Sequence, residues 1–373
     1  MPEVVDVTII GAGVIGLAIA AELADGKRKT YLLEKNETFG QEQSSRNSEV
    51  IHCGILSRKG SLRAELCLEG NRLLYELCEN YGVPYRRCGK IFVATSDSEV
   101  ESLERMFQAG IDGGVQLQML SQREMRELEP NMKADEAFFS PTSGIVDSYA
   151  LMRYFLSKAR GNGAHIFYNS EVTGIEKVPE GYRVWVNNRT QDTALLTRLL
   201  INCAGLYSDR ISELAGIDID RAEYGIRWGK GEYYSISGIK KGMLNTLIYP
   251  VPDGIGPGIH TCMDIEGRLR LGPLFYWVDE IDYKIDDSRR AMFEESSIMK
   301  ALPFIEPSGL EPESTGIMVY PKQGIKRPLD YLIRDESEYG LNGFINLVDM
   351  GSPGLTAAPA IAGYVRWIVD EIS

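Results

Sequence analysis

Histidine, long apolar runs and excess positive charge are all scarce in this sequence. Its 373 residues include three histidines, and its six cysteines are scattered without a C-x-x-C pair. That spacing excludes a zinc site of the usual cysteine and histidine type, and in a chain of this size it predicts reduced, mostly buried thiols. Forty Lys and Arg face 53 Asp and Glu, a formal net charge of −13. A nucleic-acid surface needs clustered cations, so we expect no such partner.

No apolar stretch approaches the roughly 18 residues that cross a bilayer. The first apolar run, VVDVTII, leads directly into a glycine turn rather than into a signal-peptide cleavage site. These absences predict a cytoplasmic protein with at most a peripheral contact at the inner face of the membrane. Because the overall charge is negative, an anionic substrate would need a local basic pocket.

A glycine-rich turn near the N-terminus is the first positive signal. Val4 to Ile10 reads as a strand, GAGVIG follows, and LAIAAELADG continues at helical period. Gly11 permits a tight turn, Gly13 allows a pyrophosphate to approach the backbone, and Gly16 lets helix and strand pack closely. The residues predicted to form this phosphate-binding turn are Gly11, Gly13, Val14, Ile15 and Gly16.

A second strand, KTYLLEK, ends in Glu34 and Lys35, where a dinucleotide-binding fold holds the adenosine ribose with an acid. A glutamate at this point disfavours a 2′-phosphate. The chain then enters the polar loop NETFGQEQSSRNSEVIHCG and a long amphipathic helix, rather than further strand–helix units. This arrangement suits FAD, and since no second G-x-G-x-x-G occurs we expect no separate NAD(P)H site.

Further blocks along the chain carry a family resemblance. In order they are SSRNSEVIHCGIL, CGKIFVAT, GIVDSYALM, NCAGLYSDRISELAG, IYPVPD, GIHTCMDIEGRLRLGP and SPGLTAAPAIA. Together with the glycine turn they resemble the D-amino-acid oxidase superfamily of flavoproteins and, within it, the L-2-hydroxyglutarate dehydrogenase (oxidase) group. The matching blocks run from residue 4 to about residue 365.

The resemblance implies a mixed α/β (α+β) fold, with a Rossmann-type FAD-binding domain and an interleaved substrate domain of mostly antiparallel sheet. The implied FAD-binding domain comprises residues 1–85, 148–219 and 340–373, and the implied substrate domain comprises residues 86–147 and 220–339. FAD is the implied cofactor. Some relatives attach flavin to a histidine in a W-H-x-x-G setting, but Ile51 precedes His52 here, so we expect a non-covalent flavin.

The same resemblance assigns further residues to the cofactor. The loop after the ribose acid would supply donors to the phosphates and to the polar edge of the flavin, and for Arg46 a solvated surface charge is the alternative. Val172 would hold adenine through main-chain atoms, residues 203–205 would face the adenosine half, and the last helix would direct its N-terminus at the flavin. These residues are Ser44, Ser45, Arg46, Asn47, Ser48, His52, Val172, Cys203, Ala204, Gly205, Gly351, Pro353, Gly354, Leu355 and Thr356.

Two histidines are candidates for the base that removes a hydroxyl proton while hydride leaves Cα. Histidine suits this role because its pKa lies near neutral pH without tuning. His260 lies in a block typical of the hydroxyglutarate group and is the leading candidate, followed by His52 and then by water or another group. For His52 the alternatives are orienting flavin or substrate, or a buried structural role. His165 has apolar neighbours and is expected to be structural, and Tyr249 would either hydrogen-bond the substrate or pack its ring.

The carboxylates of the substrate need cations. Lys230 in GKGEYYS and Lys322 in VYPKQ are the leading candidates, and Arg227 and Arg63 are weaker ones. The chain departs from the family pattern at GIMVYPKQ, where relatives carry an arginine in G-x-R, so Tyr320 or Lys322 would supply that function. Lysine clamps a carboxylate less well than a bidentate arginine.

The resemblance therefore implies an FAD-dependent dehydrogenase or oxidase that converts an L-2-hydroxy acid, foremost L-2-hydroxyglutarate, to the 2-oxo acid by hydride transfer to flavin N5. The alternatives on the same fold are a glycerol-3-phosphate dehydrogenase and a flavin amine or amino-acid oxidase, while the polar block around His260 disfavours a non-enzymatic scaffold. Relatives with glycerol phosphate activity carry a long extra C-terminal domain, and this chain ends after the last FAD-domain helix, which counts against that alternative. A small carboxylate is the expected partner, and oxygen and a quinone both stay open as electron acceptors.

Overall fold

The computed structural model describes residues 4–252 and 258–372. Asp253, the last residue of the IYPVPD block, lies outside the described residues. The strands are β1 Val4–Ile10, β2 Thr30–Leu33, β3 Val50–Ile51, β4 Tyr85–Arg86, β5 Lys90–Ala94, β6 Gln118–Leu120, β7 Glu136–Ser140, β8 Gly144–Val146, β9 His165–Phe167, β10 Glu171–Val178, β11 Gly181–Asn187, β12 Asp192–Asn202, β13 Ile226–Ile236, β14 Leu247–Pro250, β15 His260–Met263, β16 Leu269–Val278, β17 Leu310–Pro321, β18 Leu332–Glu336 and β19 Leu341–Val348.

The helices are α1 Val14–Leu23, α2 Leu62–Tyr81, α3 Asp97–Asp112, α4 Gln122–Leu128, α5 Ser148–Gly161, α6 Ser208–Leu214, α7 Arg290–Glu294, α8 Ser297–Ala301 and α9 Gly354–Ile372. Of the helices in the described ranges, none is long and apolar enough to cross a membrane. The free cysteines are mostly buried, as the sequence predicts.

The chain forms two compact units, each made of separate segments. Unit 1 comprises Met1–Ser45, Ser148–Trp228 and Met318–Ser373, and unit 2 comprises Arg46–Asp147 and Gly229–Ile317. The predicted segments share the boundary after residue 147 with these units, whereas the other boundaries of the units lie at residues 45, 228 and 317. The assignment of an FAD-binding and a substrate domain to particular segments stays a prediction.

Unit 1 is built on one eight-stranded sheet. β1 pairs in parallel with β2 and β12, and the pairs β2–β9 and β12–β19 extend the parallel part to five strands. The first half of the long β12 pairs antiparallel with β11, which pairs with β10, and β18 pairs antiparallel with β19. Helix α1 packs against α5 and α9 and is buried on nearly all sides, which explains its continuous apolar sequence.

Unit 2 contains two four-stranded sheets, in the orders β15-β16-β13-β17 and β14-β5-β7-β6, and the three-stranded sheet β3-β8-β4. Strand β5, KIFVA, is buried at every residue. Its side chains alternate between two hydrophobic clusters, since Ile91 and Val93 belong to one and Phe92 and Ala94 to the other. Lys90 begins this strand, so it extends the Phe92 face with a charged side chain.

The run DDSRRAMFEESSIMKAL reads as a single helix in the sequence, and this prediction is wrong. The structure divides the run into α7 and α8. Ser296 between them is extended, with φ −68° and ψ 152°, and its hydroxyl donates to the Phe293 carbonyl at 2.6 Å. A serine that bonds the backbone in this way competes with the helical hydrogen bonds, which explains the break.

Candidate active site

The predicted cofactor residues of unit 1 lie mainly where parallel strands end. Gly11 follows β1, Glu34 follows β2, Cys203 follows β12 and Asp349 follows β19. Because these strands run in parallel within one sheet, the four segments reach the same edge. That edge is where open α/β sheets bind nucleotides.

The glycine turn leaves no room for side chains. Gly11 has φ +102°, and a Cβ there would lie 2.5 Å from the Cys203 carbonyl oxygen, while a Cβ on Gly16 would collide with the Gly11 carbonyl oxygen. A Cβ on Gly13 would lie 2.9 Å from Ser44 Oγ, which accepts a hydrogen bond from the Val14 N–H at 2.9 Å. Bare backbone thus surrounds the start of α1, the kind of surface to which a pyrophosphate binds.

Glu34 is held beside this turn by two main-chain groups. Its Oε2 accepts a hydrogen bond from the Ala12 N–H at 2.8 Å, and its Oε1 accepts one from the Asn36 N–H at 2.9 Å. The carboxylate is 7% exposed. Each oxygen keeps a second lone pair, so a ribose hydroxyl can still donate to it.

Lys35 has its partners within unit 1. Its Nζ lies 2.8 Å from a Glu42 carboxylate oxygen and 4.4 Å from the centre of the Tyr207 ring. Burial alone would lower the pKa of Lys35, but the hydrogen bond and the charge of Glu42 outweigh it and raise that pKa. The ammonium therefore stays charged and tied to the loop that follows β2.

The segments after β12 and β19 are fixed by main-chain contacts. The Cys203 N–H donates to the Ile10 carbonyl at 2.9 Å, and the Ala204 N–H donates to Asn202 Oδ1 at 3.0 Å. Gly205 has φ +54° and begins a short helical turn before α6. Val172 lies in β10, is 6% exposed and belongs to a hydrophobic cluster of unit 1.

The turn before α9 is also packed closely. A Cβ on Gly351 would lie 3.0 Å from the Val319 carbonyl oxygen, and a Cβ on Gly354 would lie 3.5 Å from Ile15 Cδ1. The Tyr331 hydroxyl donates to the Gly351 carbonyl at 3.2 Å. The residues of this turn that are buried are Gly351, Pro353, Gly354 and Thr356, with Leu355 partly exposed.

The loop that carries the predicted flavin contacts divides between the two units. Within unit 1, Ser44 bonds the start of α1, and the Ser45 hydroxyl donates to the Glu42 carbonyl at 3.3 Å. Within unit 2, the guanidinium of Arg46 lies 4.1 Å from the centre of the Tyr283 ring. Arg46 is exposed in unit 2, and both its contact with the cofactor and its alternative as a solvated surface charge stay predictions.

The next two loop residues have partners inside unit 2. The side-chain oxygen of Asn47 accepts a hydrogen bond from the Glu49 N–H at 2.7 Å, and its carbonyl accepts one from Arg270 at 2.9 Å. Ser48 Oγ lies 3.0 Å from the Tyr233 hydroxyl. These bonds fix the loop immediately before His52.

A polar cluster lies in the interior of unit 2, and we define it as His52, Lys90, Tyr249 and His260. The rings of Tyr249 and His260 are stacked, with centroids 3.7 Å apart and planes 13° apart. Lys90 Nζ lies 3.9 Å from the centre of the Tyr249 ring and 3.5 Å from His52 Nδ1. Lys90, Tyr249 and His260 are 1–2% exposed, whereas His52 is partly exposed.

His260 has a defined tautomer. Its Nδ1 lies 3.1 Å from the Thr261 carbonyl oxygen. A carbonyl only accepts, so Nδ1 carries the hydrogen and Nε2 carries a lone pair in the neutral ring. Burial lowers the pKa of His260 to about 3, and the charges of Lys90 and Arg270 act in the same direction. At neutral pH this imidazole is uncharged, and its Nε2 lone pair can accept a hydrogen bond.

Tyr249 and His52 also stay neutral. Burial raises the pKa of Tyr249 well above its usual value, and its buried hydroxyl has no hydrogen-bond partner among the residues that the structure describes. Burial, followed by the charges of Lys90, His260 and Arg63, holds the pKa of His52 well below its usual value. The cluster therefore offers uncharged donors and acceptors around one ammonium.

The other predicted cations have partners elsewhere. Lys230 is buried in unit 2, where its Nζ donates to the Lys284 carbonyl and lies 3.6 Å from Asp282. Lys322, in unit 1, is 59% exposed and lies 3.5 Å from Asp220. Their roles toward a substrate stay predictions.

The weaker candidates are divided between the units. Arg63 is the second residue of α2 in unit 2 and contributes to the low pKa of His52. Arg227 and Tyr320 lie in the parts of β13 and β17 that belong to unit 1. His165 is exposed on β9 of unit 1, beside the Tyr31 ring.

Lys90 is the residue that sequence reasoning missed. It lies in CGKIFVAT, one of the blocks that carry the family resemblance. The signal in the sequence is a lysine directly before four apolar residues of a short strand, because a charged side chain is almost never fully buried unless it is paired.

The comparisons with known proteins agree with this geometry. The family model described as FAD dependent oxidoreductase (DAO) matches residues 6–366. The protein belongs to this family, and it is an FAD-dependent oxidoreductase. The predicted family, fold class, enzyme class and cofactor are thereby confirmed. The glycine turn, Glu34 and the start of α9 fit FAD, because they offer bare backbone and a fixed carboxylate at one edge of the sheet.

Individual relatives differ in the substrates that their names give. The mitochondrial L-2-hydroxyglutarate dehydrogenase of Arabidopsis thaliana is 33% identical, over 97% of this chain and 83% of its own. The glycerol 3-phosphate dehydrogenase of Caloramator mitchellensis is 30% identical, over 99% of this chain and 74% of its own. The FAD-bound structure of L-alpha-glycerophosphate oxidase from Mycoplasma pneumoniae has a TM-score of 0.87 at 29% identity, over 99% of this chain and 95% of its own.

Proposed function

We propose that the enzyme oxidises an L-2-hydroxy acid, foremost L-2-hydroxyglutarate, to the 2-oxo acid. The observation that carries the proposal is the buried lone pair on His260 Nε2, in a cluster that also supplies an ammonium and a tyrosine hydroxyl without a partner among the described residues. An alcohol substrate needs an acceptor for its hydroxyl proton, and a neutral imidazole provides one. The named L-2-hydroxyglutarate relative supports the choice of acid.

The glycine turn, Glu34 and the N-terminus of α9 would hold FAD, which when bound accepts the hydride from the substrate Cα. His260 Nε2 takes the hydroxyl proton, so that the loss of one hydride and one proton leaves a carbonyl. The Tyr249 hydroxyl donates to a substrate oxygen, and Lys90 places positive charge beside the site as negative charge arrives.

The low pKa of His260 makes it a weak base in the free enzyme. Burial and the charge of Lys90 cause much of that lowering. A substrate carboxylate that enters the cluster offsets the field of Lys90 and therefore raises the basicity of His260. Substrate binding and proton acceptance are coupled in this way, so His260 becomes a better base only when the substrate is bound.

Glycerol 3-phosphate is the second candidate, because two of the relatives are named for it. The argument from a missing C-terminal domain does not separate the two substrates, since the Mycoplasma oxidase is matched over 95% of its length. Both substrates carry a secondary hydroxyl and an anionic group. They differ in whether that group is a pair of carboxylates or a phosphate.

A dye-reduction screen of the purified yellow protein tests the proposal. The substrates are L-2-hydroxyglutarate, L-lactate, glycerol 3-phosphate and a set of amino acids, with D-2-hydroxyglutarate as the stereochemical control. We expect reduction by L-2-hydroxyglutarate at the lowest concentration. Reduction by glycerol 3-phosphate alone would support the second candidate function instead. Reduction by amino acids alone would show that the proposed substrate class is wrong.

We propose that the electron acceptor is oxygen or a quinone. Without a second dinucleotide fingerprint, NADH and NADPH should not bleach the flavin in a stopped-flow trace. We also propose that the protein binds no nucleic acid and makes at most a peripheral membrane contact. Partition of the protein into a salt-resistant membrane fraction would contradict the last point.

A further inference from the structure

Lys90 is a buried ammonium for which the proposed chemistry so far gives only a general field effect. It is 1% exposed, and its recorded neighbours are an imidazole nitrogen and two aromatic rings, those of Phe92 and Tyr249. The ion pairs formed by the described parts of the chain do not include it. Buried charges are ordinarily paired with an opposite charge, so its position at His52 requires a specific explanation.

We propose that Lys90 is a positioning residue that fixes His52 as a hydrogen-bond donor through Nε2–H and so leaves His260 as the proton acceptor of the site. Burial lowers the pKa of Lys90. In its protonated form this side chain has three donor hydrogens and no lone pair. Its contact with His52 Nδ1 at 3.5 Å is a hydrogen bond only if Nδ1 is the acceptor. The neutral ring must then carry its hydrogen on Nε2.

The tautomer of His260 is the opposite one, and a different partner fixes it. The Thr261 carbonyl requires a hydrogen on Nδ1 of that ring, which leaves the lone pair on Nε2. One histidine of the cluster therefore presents a donor and the other an acceptor. The two roles that the sequence left open between His52 and His260 are separated by their neighbours rather than by the histidines themselves.

Each charged or titratable group in the described ranges that shifts the pKa of His52 opposes its protonation. These groups come from three elements: Lys90 from β5, His260 from β15 and Arg63 from α2. Among the residues that the structure describes, no carboxylate shifts the pKa of this ring. His52 is thus neutral, and the position of its single N–H hydrogen is the property that Lys90 controls.

The catalytic consequence rests on the proposed function. A substrate oxygen that receives the Nε2–H of His52 is held while its hydroxyl proton leaves toward Nε2 of His260. If Lys90 were uncharged and hydrophobic, His52 could turn its lone pair toward the substrate, and both histidines would then accept. The substrate would lose one donor and would be held less well for hydride transfer.

Histidine labelled with ¹⁵N tests the inference without any substrate. The chain has only three histidines, so the oxidised holoenzyme gives three pairs of ring signals, assigned with His165→Gln and His52→Gln variants. Long-range ¹H–¹⁵N spectra distinguish a protonated ring nitrogen from one with a lone pair. We expect His52 protonated on Nε2 and His260 protonated on Nδ1 in the wild-type enzyme.

Variants of Lys90 test whether its charge determines the tautomer of His52. Lys90→Met removes the charge at similar length and should move His52 to a mixture of tautomers or to the Nδ1–H form, whereas Lys90→Arg should keep the wild-type tautomer. Lys177→Met is the matched control, because Lys177 lies 4.2 Å from the Tyr182 ring centre in unit 1 and has no histidine partner among the contacts recorded for it. It should leave all three histidines unchanged.

Two results would overturn the inference: His52 protonated on Nδ1 in the wild-type enzyme, or an unchanged His52 tautomer in Lys90→Met. The first needs no variant and so does not depend on Lys90→Met folding. In stopped-flow reduction by the active substrate, Lys90→Met should slow flavin reduction by up to roughly 10-fold, the value of one hydrogen bond to the substrate, with Lys90→Arg recovering most of the rate. Failure of 2-hydroxy acids to reduce the flavin would reject the proposed function and leave the tautomer result standing.

Discussion

The cofactor segments of unit 1 and the polar cluster of unit 2 are constructed in different ways. In unit 1, glycines and main-chain groups follow the ends of neighbouring parallel strands, and side chains such as Glu34 are oriented by backbone N–H groups. In unit 2, the cluster consists of side chains from β5, β14, β15 and the segment after β3, which lie far apart in the sequence. A binding site made of backbone should lose its ligand when an added side chain fills the space beside it. A site made of side chains should lose its activity when a proton or a charge is removed or moved.

Filling the glycine turn should have the largest effect. In Gly13→Val the new side chain would displace Ser44 Oγ, since even a Cβ lies 2.9 Å from it, and it would occupy the space through which a pyrophosphate approaches the backbone. We expect colourless protein with unchanged circular dichroism. Gly161→Ala is the control, because nothing lies within 4 Å of a Cβ at that position. A yellow Gly13→Val protein with one FAD per chain would contradict this view of the turn.

Removing the proton acceptor of unit 2 should leave the cofactor bound and stop the chemistry. His260→Gln deletes the Nε2 lone pair, so flavin reduction by the active substrate should slow by roughly 10²–10⁴-fold while the FAD content stays at the wild-type level. Stopped-flow absorbance measures both quantities. His165→Gln, on exposed β9, should match the wild type. If His260→Gln reduces its flavin at the wild-type rate, the base is another group, with His52 the next candidate.

The two sites also differ in how far the sequence predicts them. Gly11, Gly13, Gly16 and Glu34 are recognisable because each acts through its place next to a strand, and strand ends can be read from local patterns. The role of Lys90 depends on register, because β5 pairs with β14 and so brings it to Tyr249. No local pattern encodes that pairing, which is why the family block was recognised and its lysine was not.

Acid should lower the stability of the folded protein because of the buried His260 of unit 2. The folded pKa of His260 is about 3, whereas an unfolded histidine has a pKa near 6.5. As the pH falls below about 6.5, the unfolded chain takes up a proton that the folded chain does not, so stability is lost. One such group costs about 2 kcal/mol at pH 5. The urea midpoint with saturating FAD should therefore fall less between pH 7.5 and 5 in His260→Gln than in the wild type or in His165→Gln.

Removing the Tyr249 hydroxyl distinguishes a role in substrate binding from a role in packing. Tyr249→Phe keeps the ring that stacks on His260 and removes a buried hydroxyl without a partner among the described residues. If that hydroxyl donates to the substrate, KM should rise by up to about 10-fold, the value of one hydrogen bond, with little change in kcat. Tyr249→Leu should in addition lower the stability. An unchanged KM in Tyr249→Phe would leave the ring with a packing role alone.

The smallest effect is expected at a cation outside the cluster. Lys322 is 59% exposed and shares its charge with Asp220 at 3.5 Å, so water and that carboxylate already screen it. If it attracts a substrate carboxylate, Lys322→Ala should raise KM by about two- to five-fold, the range of an exposed ion pair, and should leave kcat unchanged because the pairing is present before and during hydride transfer. Lys326→Ala, at an exposed lysine four residues further along the chain, is the control for loss of surface charge. Equal KM values in the two variants would remove Lys322 from the substrate site and leave Lys90 as the cation nearest to the histidines.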